Sequence, residues 1–78
     1  MYLADAIEKR IQSLCAERNI TINKLCTICG ITQSTINNLI HRKKQSATIL
    51  TVMRICRGLN IKIKDFFDDP LFDDLDDD

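Results

Sequence analysis

The sequence predicts an all-α fold of five short helices followed by an acidic C-terminal tail, and three observations carry that expectation. Apolar residues recur at i, i+3, i+4 and i+7 over successive stretches, the spacing that lines one face of a helix. Thr21, Thr32 and Thr48 each stand just ahead of such a stretch, where a hydroxyl can accept from the free N–H groups of a first helical turn. No alternation is long enough to build a sheet; the one candidate, Asn60-Ile61-Lys62-Ile63-Lys64, is short and solitary.

The first helix is expected from about Ala4 to Arg18, with Ile7, Ile11, Leu14 and Arg18 on one face. Glu8, Lys9, Arg10, Gln12 and Glu17 then take the wet side, and Asn19-Ile20 ends the helix. Thr21 caps a second helix, Ile22 to Cys29, that turns Leu25, Cys26 and Cys29 inward. Gly30 follows, where a left-handed backbone meets no Cβ clash. Ile31 plugs back toward the core, and Thr32 caps a third helix from Gln33 to about Ile40. Its apolar back is Ile36, Leu39 and Ile40. A basic loop from His41 to Ala47 leads to the fourth helix, capped by Thr48, with Ile49, Val52, Ile55, Cys56 and Leu59 on its buried stripe. Asn60 suits a left-handed end, Ile61 and Ile63 flank a short link, and Lys64-Asp65-Phe66-Phe67 forms a last helical turn.

The chain has 78 residues, enough for one domain with a small core. Its net charge of zero conceals a strong asymmetry. All eleven Lys and Arg precede Asp65, against only Asp5, Glu8 and Glu17, while eight Asp and no base occupy the rest. A basic domain of +8 with a tail of −8 points toward nucleic acid. Self-repulsion in the tail argues for weak order, which sets an expected boundary between a domain at 1–67 and a flexible tail at 68–78. Leu71, Phe72 and Leu75 are the exception there, suited to docking on the domain or on a protein partner. Met1 to Asp5 lacks the basic start and apolar core of a secretory leader, and no apolar run approaches the ~20 residues of a membrane helix. A reducing, cytoplasmic setting is therefore expected, with the four cysteines as small apolar side chains. Cys26 and Cys29 have metal-like spacing, but no second cysteine pair follows and His41 is the single histidine, so no metal or other cofactor is expected. Cys15 is expected to be the least buried thiol.

The third helix carries the functional signal. Solvent faces normally hold Lys and Glu, whereas this front is Gln33, Ser34, Thr35, Asn37 and Asn38, all hydroxyl or amide groups of the kind that read base edges. With a glycine turn ahead of it, this is the pattern of a helix-turn-helix. Gln33 and Asn38 can each bond an adenine edge through two hydrogen bonds, and Ser34 or Thr35 can meet a thymine methyl or a phosphate. Helix N-termini favour phosphates through exposed N–H groups and the helix dipole, and Thr21 and Thr32 mark two such ends. Asn23 joins them on the phosphate side, and Arg42, Lys43, Lys44 and Lys24 would add salt-sensitive, sequence-blind affinity. With few phosphate contacts per subunit, pairing two half-sites roughly 34 Å apart is the usual remedy.

From about Ala4 to Phe67 the chain resembles the lambda-repressor-like, Cro-type helix-turn-helix regulators of bacteria and phages, the XRE family. The resemblance rests on Arg10-Ile11-Gln12-Ser13-Leu14-Cys15-Ala16-Glu17-Arg18-Asn19-Ile20-Thr21, on Leu25 with Cys29-Gly30-Ile31-Thr32-Gln33-Ser34-Thr35-Ile36, and on Ile55-Cys56-Arg57-Gly58-Leu59-Asn60-Ile61 with Asp65-Phe66-Phe67, in that order and spacing. It implies a five-helix lambda-repressor-like bundle that binds operator DNA, usually as a symmetric dimer, and controls transcription. Gln33 falls on the family's frequent base-contacting Gln. Ser34, Asn37 and Asn38 fall on positions facing the major groove, Thr35 on one that often touches phosphate, and Lys43 and Lys44 in the loop that grips the backbone. The chain departs from the pattern in two places. Ile22 stands where relatives often carry a Gln that braces the base reader. Just after the reader, His41-Arg42 stands where many have Asn-Gly or Arg-Gly, and Ala47 replaces a common Pro.

The competing class is a protein-interaction module on the same fold, an antitoxin or anti-regulator, using Leu71, Phe72 and Leu75. An enzyme is not expected, because no nucleophile has a local base, no Gly-rich phosphate loop is present, and paired acids occur only in the tail.

Overall fold

The computed structural model describes residues 1–41 and 49–77. The expected cap Thr48, the basic loop residues Arg42, Lys43 and Lys44, and Ala47 lie outside them. Helix α1 spans Leu3–Glu17, α2 Ile22–Cys29, α3 Gln33–His41, α4 Ile49–Leu59 and α5 Ile63–Phe67, and a 3-10 turn covers Pro70–Phe72. Among the described residues there is no strand, only an isolated parallel bridge between Tyr2 and Asp76. The architecture is all-helical with five α-helices, as the periodicity predicts.

Local rules account for most boundaries. Thr21 Oγ1 accepts from the Lys24 N–H at 3.1 Å, which satisfies one of the orphan donors of α2. Gly30 ends α2 at φ 67, ψ 35. Asn60 ends α4 at φ 58, and Asn19, not anticipated as left-handed, does the same after α1 at φ 55. Asn tolerates this region through local hydrogen bonding of its short side chain.

The core forms where the apolar stripes meet. Ile7, Ile11 and Leu14 from α1, Leu25 from α2, Ile36 and Leu39 from α3, Val52, Ile55 and Leu59 from α4, and Phe66 from α5 are all buried. Gly58 sets the distance between α2 and α4: a Cβ there would lie 3.0 Å from Cys29 Cα and 3.1 Å from Cys29 Cβ.

Four expectations need correction. Cys15 is buried, and Cys29 is the half-exposed thiol. The apolar face of α1 is wider than its Ile/Leu stripe because the chain folds back beside it, Ile20 N–H donating to the Cys15 carbonyl at 3.0 Å. Ile49, expected on the buried stripe of α4, is 65% exposed. It occupies the first turn of α4, where the apolar periodicity starts one turn ahead of the burial that begins at Val52. Arg10 is not on a wet face. Its Nε donates to the Phe66 carbonyl at 2.8 Å, a second guanidinium nitrogen to the Asp65 carbonyl at 2.9 Å, and the third to Asp69 Oδ2 at 3.2 Å. The acidic segment, expected to be weakly ordered, lies folded back on α1. Asp69 caps the 3-10 turn by accepting from the Leu71 N–H at 2.9 Å while it pairs with Arg10. Phe72 packs edge-on against Phe67 at 5.0 Å and tilts over Phe66 at 6.2 Å. Further on, the Asp76 N–H donates to the Met1 carbonyl at 2.9 Å. Aromatic burial and the Arg10 clasp offset the self-repulsion of the acids.

Candidate nucleic-acid interface

The corner between α2 and α3 aims the second helix. Gly30 in its left-handed conformation reverses the chain, and the Ile31 N–H donates back to the Cys26 carbonyl at 3.0 Å. Ile31 itself is buried and pins the corner to the core. Thr32 then receives the Thr35 N–H on its hydroxyl at 3.2 Å, as an N-cap should.

With Ile36 and Leu39 buried, the opposite face of α3 must look outward. Gln33, Ser34, Asn37 and Asn38, at i, i+1, i+4 and i+5, are all exposed. They form one contiguous front of amide and hydroxyl groups without a carboxylate to repel phosphate. Gln33 has no hydrogen-bond partner among the described residues, and Ile22, where relatives place a bracing Gln, instead packs against the core. Among the described residues, then, nothing holds the Gln33 amide at the leading edge of the helix.

Thr35 is half-buried at the flank of this front. Its hydroxyl lies 2.9 Å from that of Thr32, and either can be the donor. Because Thr32 already accepts from a backbone N–H, the two hydroxyls share one internal bond and leave a single O–H free to point outward. This coupling was not legible in the sequence, where the two threonines read as independent contacts. Thr21, Asn23 and Lys24 are exposed together in the first turn of α2, so the structure gathers the described phosphate-side candidates at two helix N-termini. Arg42, Lys43 and Lys44 lie outside the described residues.

The Cys26 and Cys29 pair is built into packing. Cys26 is buried, and Cys29 Sγ lies 3.7 Å from the Ile55 carbonyl, to which it donates. Burial pushes the Cys29 thiol up to about 11 and raises Cys26 as well, which keeps both in the protonated form that binds metal poorly. Among the described residues no three His, Cys, Asp or Glu converge on a common point. No helix among them is long and apolar enough to cross a membrane.

Residues 10–71 match the model of the Cro/C1-type helix-turn-helix DNA-binding domain. The chain belongs to the Cro/C1-type helix-turn-helix family. The crystal structure of the prophage Lp1 protein 11 is similar to it, with a TM-score of 0.85 and 30% identity over 96% of this chain and 100% of that one. No curated protein matches the chain. In Cro/C1-type terms α2 and α3 are the helix-turn-helix pair, and the protein is a DNA-binding domain of regulator type. The family match runs to Leu71, past α5 and into the segment clasped by Arg10.

Proposed function

We propose that this Cro/C1-type domain binds one specific duplex sequence by laying α3 in the major groove, and that it acts as a cytoplasmic transcriptional repressor. The carrying observation is the uncharged front of Gln33, Ser34, Asn37 and Asn38, exposed on a helix anchored from behind by Ile36 and Leu39. Amides that offer a donor and an acceptor together suit adenine edges. Gln33 and Asn38 are the base readers in this account, with Ser34 and Asn37 beside them. Thr21, Asn23, Thr32 and Thr35 meet phosphates through hydroxyls, amides and helix N-termini, and Arg42, Lys43 and Lys44 add the salt-sensitive component. A single domain of this size makes few such contacts, so a homodimer on two half-sites roughly 34 Å apart is the functional unit.

Selecting bound duplexes from a random pool tests both parts. A single enriched motif repeated with two-fold symmetry at about one helical turn supports the reading. Uniform recovery of unrelated duplexes overturns specificity, and a lone half-site overturns the dimer. The protein-capture alternative has lost its strongest anchor, because Phe72 is engaged with Phe66 and Phe67 and leaves only the half-buried Leu71 and Leu75.

A further inference from the structure

We propose that copies of this chain associate head to tail, the acidic tail of one seating against an arginine-walled groove on the next. The groove is an open notch of about 510 Å³ between the C-terminal end of α2 and α4, lined by Ile28, Cys29, Gly30, Arg54, Arg57 and Gly58. Its floor is low because Gly58 lets the two helices meet closely and Gly30 adds no side chain. Ile28 is 42% exposed on one side. Arg54 and Arg57, three residues apart and so on one face of α4, are both exposed on the other. Their only described neighbours in the groove are apolar or glycine, and no carboxylate among the described residues lies within ion-pair distance of either.

Two guanidiniums beside an exposed isoleucine are matched by a run of carboxylates that carries an aliphatic side chain. The tail has that chemistry. Asp73, Asp74 and Asp77 are exposed around the half-buried Leu75, and folding against α1 holds them outward as an edge. Asp69 and Asp76 are already paired, with Arg10 and with the Met1 amino group, whose charge Asp74 also feels at longer range. Groove and tail edge sit on different elements of one chain, α2 and α4 against the segment beside α1. The contact is therefore heterologous and extends from copy to copy. A net charge of zero means that no overall repulsion opposes it. Duplex phosphate is the rival occupant. The groove lies about 12 Å along the axis of α2 from Thr21 and Asn23 but only two residues before Thr32, so duplex binding of the arginine variant is read beside its self-association.

Sedimentation of the full chain without DNA, at low and high salt over a concentration series, tests the contact independently of any DNA reading. At low salt the average mass should climb with concentration, and at high salt the climb should vanish as screening removes it. One variant carries Arg54→Gln with Arg57→Gln, another Asp73→Asn with Asp74→Asn and Asp77→Asn, and circular dichroism checks that both are folded. Each alone should lose the salt-sensitive association. Mixing them should restore one salt-sensitive contact, with a mass that stops at a 1:1 pair, since one retains a tail and the other a groove. Three results would overturn the proposal: no salt-sensitive association of the unmodified chain, association that survives the arginine replacements, or a mixture that stays apart. Weakened duplex binding by the arginine variant with association unchanged assigns the groove to phosphate and also overturns it.

Discussion

Arg10 on α1 donates its Nε to the Phe66 carbonyl on α5 at 2.8 Å, a bond that ties together residues 56 apart in the chain. The same guanidinium reaches Asp65 and Asp69, so one planar fork joins α1, the end of α5 and the acidic segment. Its side chain is only 11% exposed. Arg10→Ala leaves two carbonyls and a carboxylate without their charged donor and should cost about 2–3 kcal/mol, read as a lower urea midpoint. Arg10→Lys should recover less than half, because an ammonium cannot span three acceptors in one plane. A full rescue by Lys would show that charge alone matters there.

For duplex binding, Gln33→Ala should lose roughly 1–3 kcal/mol on the selected site and relax the preference at one base position. Lys43→Ala should instead weaken all duplexes alike and flatten the dependence of affinity on salt. Titrations of cognate and scrambled duplexes at two salt concentrations separate the two behaviours. Equal losses from Gln33→Ala on both duplexes would remove it from base reading.

What the sequence reveals and what it hides divides by range. Gly30, Asn60, Thr21 and Thr32 were legible because a left-handed residue or an N-cap is a rule about a few adjacent bonds. The exposed front of α3 was legible because the buried periodicity of Ile36 and Leu39 dictates what faces away. Arg10 was not, since its partners lie more than fifty residues on and an arginine on a helix looks the same whether solvated or clasped. Counting charges in the tail predicted repulsion, yet the structure turns on where Phe72 and Asp69 sit, not on the sum. Nothing in the sequence sets Arg54 and Arg57 apart, because the groove beside them exists only once α2 and α4 are packed.

The two glycines should both resist replacement, for different reasons. Gly58→Ala places a methyl 3.0 Å from the Cys29 Cα, a backbone atom that cannot swing aside. In a helix interior the same change usually stabilises by roughly 0.5–1 kcal/mol, so a net loss of about 1–3 kcal/mol from overpacking would expose the close approach of α2 and α4. Gly30→Ala meets no atom within 4 Å and suffers only from its positive φ, a cost of about 1 kcal/mol. Gly30→Asn should be milder still. Urea midpoints of the three variants check the ordering, and a stabilised Gly58→Ala would contradict the packing.

The Cys29 thiol offers a test by pH. Burial lifts it from its ordinary 9.0 to about 11, with the neighbouring Cys26, Cys15 and Cys56 adding smaller contributions in the same direction. A thiol raised on folding keeps its proton in the native state at pH values where the unfolded chain has already lost it. Its contribution to stability is thus intact below 9.0 and is lost as pH climbs toward about 11. Urea midpoints should stay level through neutrality and fall on the alkaline side. Cys29→Ala removes this titration but leaves the lysines and the other thiols in place, so its alkaline fall should be shallower than that of the unmodified chain, whatever the absolute stability. Parallel slopes would mean that the thiol ionises as easily folded as unfolded, and that its packing against Gly58 and the Ile55 carbonyl does not exclude water.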